Sequence, residues 1–224
     1  MIIRSKRKPK PKPVSSPLVD AADAGDLAKV KQLLEGGEAI EQADVEGYTA
    51  LISAAIAPHN EIVSLLIEKG ANCNASAKDG VTPLIATAME GHISTAELLI
   101  KAGAELDAKN SEGYTALTAA AVQGHLEYIK ALEKAGADPS AVNNQGNGML
   151  LWACRAKHVP IINWALSLEN IDTNKANSFG ETPLLWAALT GLDDVVKKLL
   201  ERKADPNACS KKGDTPLLWA CQQG

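Results

Sequence analysis

Residues 80–88 read GVTPLIATA, and versions of this phrase recur along the chain. Each version begins with a glycine, and a Thr follows two residues later in all but one of them. The glycines lie 33 or 34 residues apart, at Gly47, Gly80, Gly113, Gly146, Gly180 and Gly213. Six occurrences at one period indicate an internal structural repeat.

Each period contains two short apolar stretches with helical spacing, for example residues 50–57 and 61–69. Neither stretch is long enough to form a stable isolated helix in water. A glycine such as Gly70, Gly103 or Gly136 ends the second stretch and suits a left-handed helix cap. One unit cannot bury its own apolar face. We therefore expect neighbouring units to stack about 10 Å apart around one continuous core.

The period and the pattern G-x-T-P-L, G-H, L-L and G-A-D resemble the ankyrin repeat. The resemblance covers residues 16–224 and implies an all-α solenoid of helix-turn-helix units joined by β-turn fingers. Ser16 is the predicted N-cap of the first helix, and Pro17 its first residue. The predicted units are an N-terminal cap at 16–46, five repeats at 47–79, 80–112, 113–145, 146–179 and 180–212, and a truncated repeat at 213–224. Because the last repeat lacks a second helix, we expect the chain to be a fragment.

The charge is unevenly distributed along the chain. The first 17 residues contain six basic residues and no acid, whereas the rest has 17 basic against 27 acidic residues, a net charge of −10. An acidic body disfavours nucleic acid and favours partners that carry basic patches. We expect residues 1–15 to form a disordered, Lys/Pro-rich basic arm. A nuclear-import signal and a contact with an anionic surface remain alternative roles for this arm.

Several classes of function lack their sequence signals. The four cysteines (Cys73, Cys154, Cys209 and Cys221) show no CxxC spacing, which argues against a zinc site or a disulfide framework. This usage fits a reducing compartment, so we predict a cytoplasmic or nuclear protein. No apolar run approaches the ~18 residues of a membrane span. Motifs for phosphate binding, dinucleotide binding and common hydrolases are missing, so we predict a non-enzyme without cofactor, metal or small-molecule substrate.

Two residue types follow the repeat period. The histidines (His59, His92, His125 and His158) fall at the turn between the two helices of a unit. They would lie about one repeat apart, too far for ligands that must reach a metal at ~2 Å, so we predict a structural role. Trp152, Trp186 and Trp219 predict a packing ladder, with an aromatic cage for a cation as the alternative. Some members of the resembled family read methyl-lysine with such tryptophans, but Asn147 and Arg155 depart from that pattern.

The fourth unit departs most from the repeat pattern. Gly148 and Met149 replace Thr-Pro, and Lys157 replaces the glycine between the helices. Local irregularity in a repeat array indicates a bend or a functional surface.

In each unit, two positions are predicted to have no role in core packing and to line a concave groove. They are the residue after the periodic glycine and the residues at the end of the unit's first helix. The predicted groove residues are Tyr48, Ile56, Val81, Met89, Tyr114, Val122, Arg155, Glu181, Leu189 and Asp214. The groove begins apolar and ends polar and acidic. We therefore predict a non-catalytic scaffold or adaptor that binds a peptide or protein surface. The partner's apolar part would lie on the first three units, and its polar or basic part towards the last ones.

Two alternatives remain for the function. The first is a recognition or targeting domain of a larger enzyme or chaperone that is truncated at residue 224. The second is a protein that associates with nucleic acid through the basic arm.

Overall fold

The computed structural model describes residues 16–223, with side chains as far as Cys221. The predicted arm of residues 1–15 lies outside this range. Between Ser16 and Gln223 the chain forms thirteen helices, which are α1 (Pro17–Asp23), α2 (Leu27–Glu35), α3 (Ala50–Ile56), α4 (Asn60–Glu68), α5 (Pro83–Glu90), α6 (Ile93–Lys101), α7 (Ala116–Gln123), α8 (Leu126–Ala135), α9 (Met149–Ala156), α10 (Val159–Ser167), α11 (Pro183–Leu189), α12 (Asp193–Glu201) and α13 (Pro216–Gln223). Pairing of β type is limited, within this range, to a single bridge between Val142 and Gly148. The predicted all-α fold is confirmed.

The helices form two rows. The odd-numbered helices pack side by side in a first row, and each even-numbered helix packs against the odd-numbered helix before it, forming a second row. Helices of the first row are rich in alanine, and α7 is buried from Ala116 to Val122. Small side chains let neighbouring helices approach closely. The hydrophobic core lies between the rows as one continuous layer that runs the length of the array.

Threonine side chains begin five helices of the first row. Their hydroxyl oxygens accept a hydrogen bond from the backbone N–H three residues later, and these threonines are Thr49, Thr82, Thr115, Thr182 and Thr215. Gly148 stands at this position before α9 and offers no side chain. Ser16 has the predicted N-cap position and Pro17 begins α1, but the buried Ser16 hydroxyl finds no hydrogen-bond partner in the described part of the chain.

The histidines connect neighbouring units. The Nε2 atoms of His92 and His158 donate to the carbonyls of Ile56 and Val122, each 36 residues earlier and at 3.1 Å. His59 makes the corresponding contact to the cap, with the carbonyl of Asp23 at 3.3 Å. The predicted structural role therefore extends beyond the turn of each histidine's own unit, because each of these three rings closes the end of a first-row helix in the preceding unit.

The periodic glycine of each finger permits a close contact with the next finger. Gly47 has a φ of +86°, and a Cβ atom placed on it would lie 2.9 Å from the backbone nitrogen of Lys78. That nitrogen donates to the carbonyl of Glu46 at 2.9 Å. Equivalent backbone hydrogen bonds join the later fingers, with donor and acceptor at Ser111 and Asp79, Asn144 and Glu112, Ser178 and Gln145, and Lys211 and Phe179. The fingers therefore form a ladder with a fixed spacing.

In the fourth unit, other residues close the helix ends where the residues typical of the repeat are absent. Lys157 ends α9 in the left-handed conformation, with a φ of 61°, at the position that Gly91, Gly124 and Gly191 hold in other repeats. The end of α10 is closed by Arg202 of the next unit. Its guanidinium donates to the carbonyls of Leu166 at 2.6 Å and Leu168 at 2.9 Å. The sequence irregularity of this unit therefore coincides with a helix end that a side chain of the next unit closes.

Candidate partner-binding groove

A groove runs between the fingers and the first row of helices in the first three repeats. It encloses a cavity of about 650 Å³. All six of the predicted groove residues from these repeats line it, namely Tyr48, Ile56, Val81, Met89, Tyr114 and Val122. We call this cavity the apolar groove. Sequence periodicity located its walls because the fingers and helix ends recur in register.

The floor of the apolar groove is more deeply packed than predicted. Val81, Tyr114 and Val122 are only 7%, 4% and 9% exposed, so the expectation that they have no packing role is wrong. The Tyr114 ring packs on Trp152 of the next unit, with 5.9 Å between ring centroids. Burial also raises the pKa of the Tyr114 hydroxyl. The half-buried Tyr48, Ile56 and Met89 thus supply the accessible apolar surface of the groove.

The rim of the apolar groove is acidic. Asp79, Glu90 and Glu112 line the cavity and are exposed, and none of the residues that line it is Lys or Arg. The Tyr48 hydroxyl donates to the Asp79 carboxylate at 3.1 Å, which places a phenol and a carboxylate side by side at the entrance. These carboxylates are not among the groove residues predicted from the sequence. A signal for two of them was present, because the residue before the finger glycine is acidic in the first three repeats: Glu46, Asp79 and Glu112.

In the second half of the array, the side chain of Arg155 stacks between two tryptophans. The guanidinium of Arg155 lies between two indole rings, 5.0 Å from the Trp152 centroid and 4.8 Å from the Trp186 centroid. Trp219 packs edge-on against Trp186, with centroids 5.6 Å apart. The tryptophans therefore form a packing ladder as predicted, and the space for a cation between Trp152 and Trp186 is filled by the chain itself.

The two carboxylates predicted at the C-terminal end of the concave surface, those of Glu181 and Asp214, accept hydrogen bonds from neighbouring side chains. The Glu181 carboxylate accepts from the indole N–H of Trp186 at 3.2 Å and from the Asn177 amide at 2.8 Å. The same amide donates to the buried Asn147 at 2.8 Å. Asp214 accepts from the Ser210 hydroxyl at 3.0 Å, and Leu189 is half-buried. The carboxylates of Glu181 and Asp214 therefore accept hydrogen bonds within the fingers, whereas the side-chain carboxylates of Glu90 and Glu112 accept none from any described residue.

The described residues show neither a metal site nor a membrane span. From Ser16 onward, His, Cys, Asp and Glu side chains nowhere gather in a group of three that could hold a metal ion. In the same part of the chain, no helix is long and apolar enough to cross a bilayer.

The fold is a helical repeat solenoid in which stacked units form one continuous surface. The family described as "Ankyrin repeats (3 copies)" matches residues 18–110, 72–143 and 150–224. The chain therefore belongs to the ankyrin-repeat family. The crystal structure of the human ASB11 ankyrin repeat domain is similar, with a TM-score of 0.81 at 24% identity over 92% of this chain and 91% of that chain. No curated protein matches. Ankyrin repeats are generally protein–protein interaction modules.

Proposed function

We propose that this chain is a non-catalytic scaffold or adaptor that binds an extended peptide segment in the apolar groove. The supporting observation is an apolar cavity rimmed by exposed carboxylates and lined by no basic residue. A partner segment that fits would place one or two apolar side chains against Tyr48, Ile56 and Met89. Its flanking Lys or Arg side chains would approach Glu90 and Glu112.

The charge distribution of the groove refines the expected direction of binding. The carboxylates of Glu181 and Asp214 already accept hydrogen bonds, and Arg155 adds a positive charge against Trp186, the hydrogen-bond donor to Glu181. Basic groups of a partner are therefore attracted to the first three repeats rather than to the last ones, which reverses the orientation expected from sequence. The acidic rim also repels phosphate, which disfavours nucleic acid in this groove.

The repeat boundaries and the location of the protein are part of the same proposal. We keep the cap at 16–46 and the repeat divisions as given by the sequence. Ordinary thiols at all four cysteines are consistent with a cytoplasmic or nuclear location.

The test is a selection of phage-displayed random 12-residue peptides on the full chain and on charge-reversed variants. Against the natural chain we expect peptides that combine apolar residues with Lys or Arg. Against the double variant Glu90→Lys, Glu112→Lys the basic residues should no longer be enriched, because the rim now repels them.

A matched control is Glu97→Lys, which makes the same charge change on an exposed position of α6 outside the groove. It should select the same peptides as the natural chain. Basic enrichment that persists on the double variant, or peptides without apolar anchors, would remove the groove from the proposal. Circular dichroism of each variant would verify that the helices are retained.

A further inference from the structure

We propose that the apolar groove is occupied by the chain's own N-terminal arm (residues 1–15), which competes there with external partners. This inference rests on the proposed function, since it assigns an occupant to the same groove. Three observations support it: complementary charge, the position from which the arm leaves the fold, and its length.

The charges of the arm and the groove are complementary. The arm holds six basic residues and no acidic one: Arg4, Lys6, Arg7, Lys8, Lys10 and Lys12. The groove rim presents Asp79, Glu90 and Glu112, and its lining has no basic residue. Opposite charges attract within a Debye length of about 8–10 Å at physiological salt.

The arm joins the fold at the same register as the residues that line the groove. Ser16 precedes α1 as Thr49 precedes α3 and Thr82 precedes α5, and α1 packs directly on α3. The residues before those threonines, Tyr48 and Val81, both line the cavity. The arm therefore begins at the finger side of the array, one repeat before the groove.

The arm is long enough to cross the groove. Twelve residues separate Arg4 from Ser16, and an extended polyproline conformation rises about 3.1 Å per residue, which gives about 37 Å. The distance from α1 to the third repeat is three steps of roughly 10 Å each. The alternating Lys and Pro of residues 8–13 favour the extended form and would run past the carboxylates.

Carbodiimide cross-linking of the full chain tests this arrangement, because the reagent joins a Lys amine to a carboxylate in direct contact. Mass spectrometry should find the arm lysines joined to Asp79, Glu90 or Glu112. The control carboxylates are Glu61, Glu68 and Glu97, which lie together in a cleft of the second row. Equal cross-linking to both sets would show an arm without a preferred site and would overturn the proposal. Mixing isotope-labelled and unlabelled chains separates contacts within a chain from contacts between chains, and mixed products would also overturn it.

A binding measurement separates failure of this inference from failure of the proposed function. The probe is a synthetic 12-residue peptide taken from the phage selection. Replacing Lys6, Lys8, Lys10 and Lys12 by Ser should raise its affinity about tenfold, since a tethered competitor acts at an effective concentration of about a millimolar. The gain should disappear in 0.5 M salt. An unchanged affinity would refute competition by the arm. If the peptide still required Glu90 and Glu112, the groove would remain the binding site.

Discussion

Arg155 should stabilise the second half of the array through its position between two indole rings. The Arg155→Ala substitution removes both contacts, at 5.0 Å from Trp152 and 4.8 Å from Trp186. A cation–π contact at an exposed site contributes about 0.5–1 kcal/mol, so the loss should be about 1–2 kcal/mol. For a chain of this size, 1 kcal/mol lowers the melting temperature by about 2–4 °C. We therefore expect the melting temperature to decrease by about 2–8 °C.

Urea denaturation followed by far-ultraviolet circular dichroism would measure the loss. Lys101→Ala is a matched control, since Lys101 is also an exposed cation in the last turn of its helix. It should change stability by less than about 0.5 kcal/mol. A double-mutant cycle with Trp186→Leu should give a coupling energy of about 0.5–1 kcal/mol. Zero coupling, or equal effects of Arg155→Ala and Lys101→Ala, would refute the stacking argument.

Three further predictions concern stability. Lys157→Gly should raise the free energy of unfolding by about 1 kcal/mol in urea titrations, because glycine adopts the left-handed conformation without steric cost. Burial raises the pKa of the Cys154 thiol from 9.0 to about 12, so the folded state keeps its proton more tightly than the unfolded state. The buried thiol therefore contributes fully to the free energy of unfolding below pH 9, and this contribution falls by about 1.4 kcal/mol per pH unit as the pH rises above 9. Above pH 9 the Cys154→Ala variant should accordingly lose stability less steeply than the natural chain in urea titrations. Tyr114→Ala should lower the melting temperature markedly more than Tyr48→Ala, since Tyr114 is buried against Trp152.

The sequence predicted the architecture because the repeat encodes it locally. Thr-Pro begins a helix, glycine ends one, and the apolar spacing defines which face is buried. The same register placed Tyr48, Ile56 and Met89 on one groove, as found. Each of these inferences depends on contacts within one unit or on the fixed spacing between units.

The burial of Tyr114 and the position of Arg155 depend instead on contacts between particular side chains of different units. Tyr114 was expected to be free of packing because it follows a finger glycine, but its ring packs on Trp152 of the next unit. Arg155 was predicted to line the groove, but its stacking requires the exact separation of two rings on different helices. The acidic rim combines two repeat positions, since Asp79 and Glu112 both precede a finger glycine whereas Glu90 ends a helix, and only the folded array brings the three carboxylates around one cavity.

The histidine contacts bear on how such an array can change by gain or loss of units. The Gly91 backbone lies so close to His125 that a Cβ atom there would meet the ring at 2.8 Å, and Gly124 stands in the same relation to His158. The matching residues belong to adjacent units, so a duplicated or exchanged unit must bring a glycine for the histidine after it. Whether two repeat units can be neighbours therefore depends on a glycine–histidine pair that spans the junction between them.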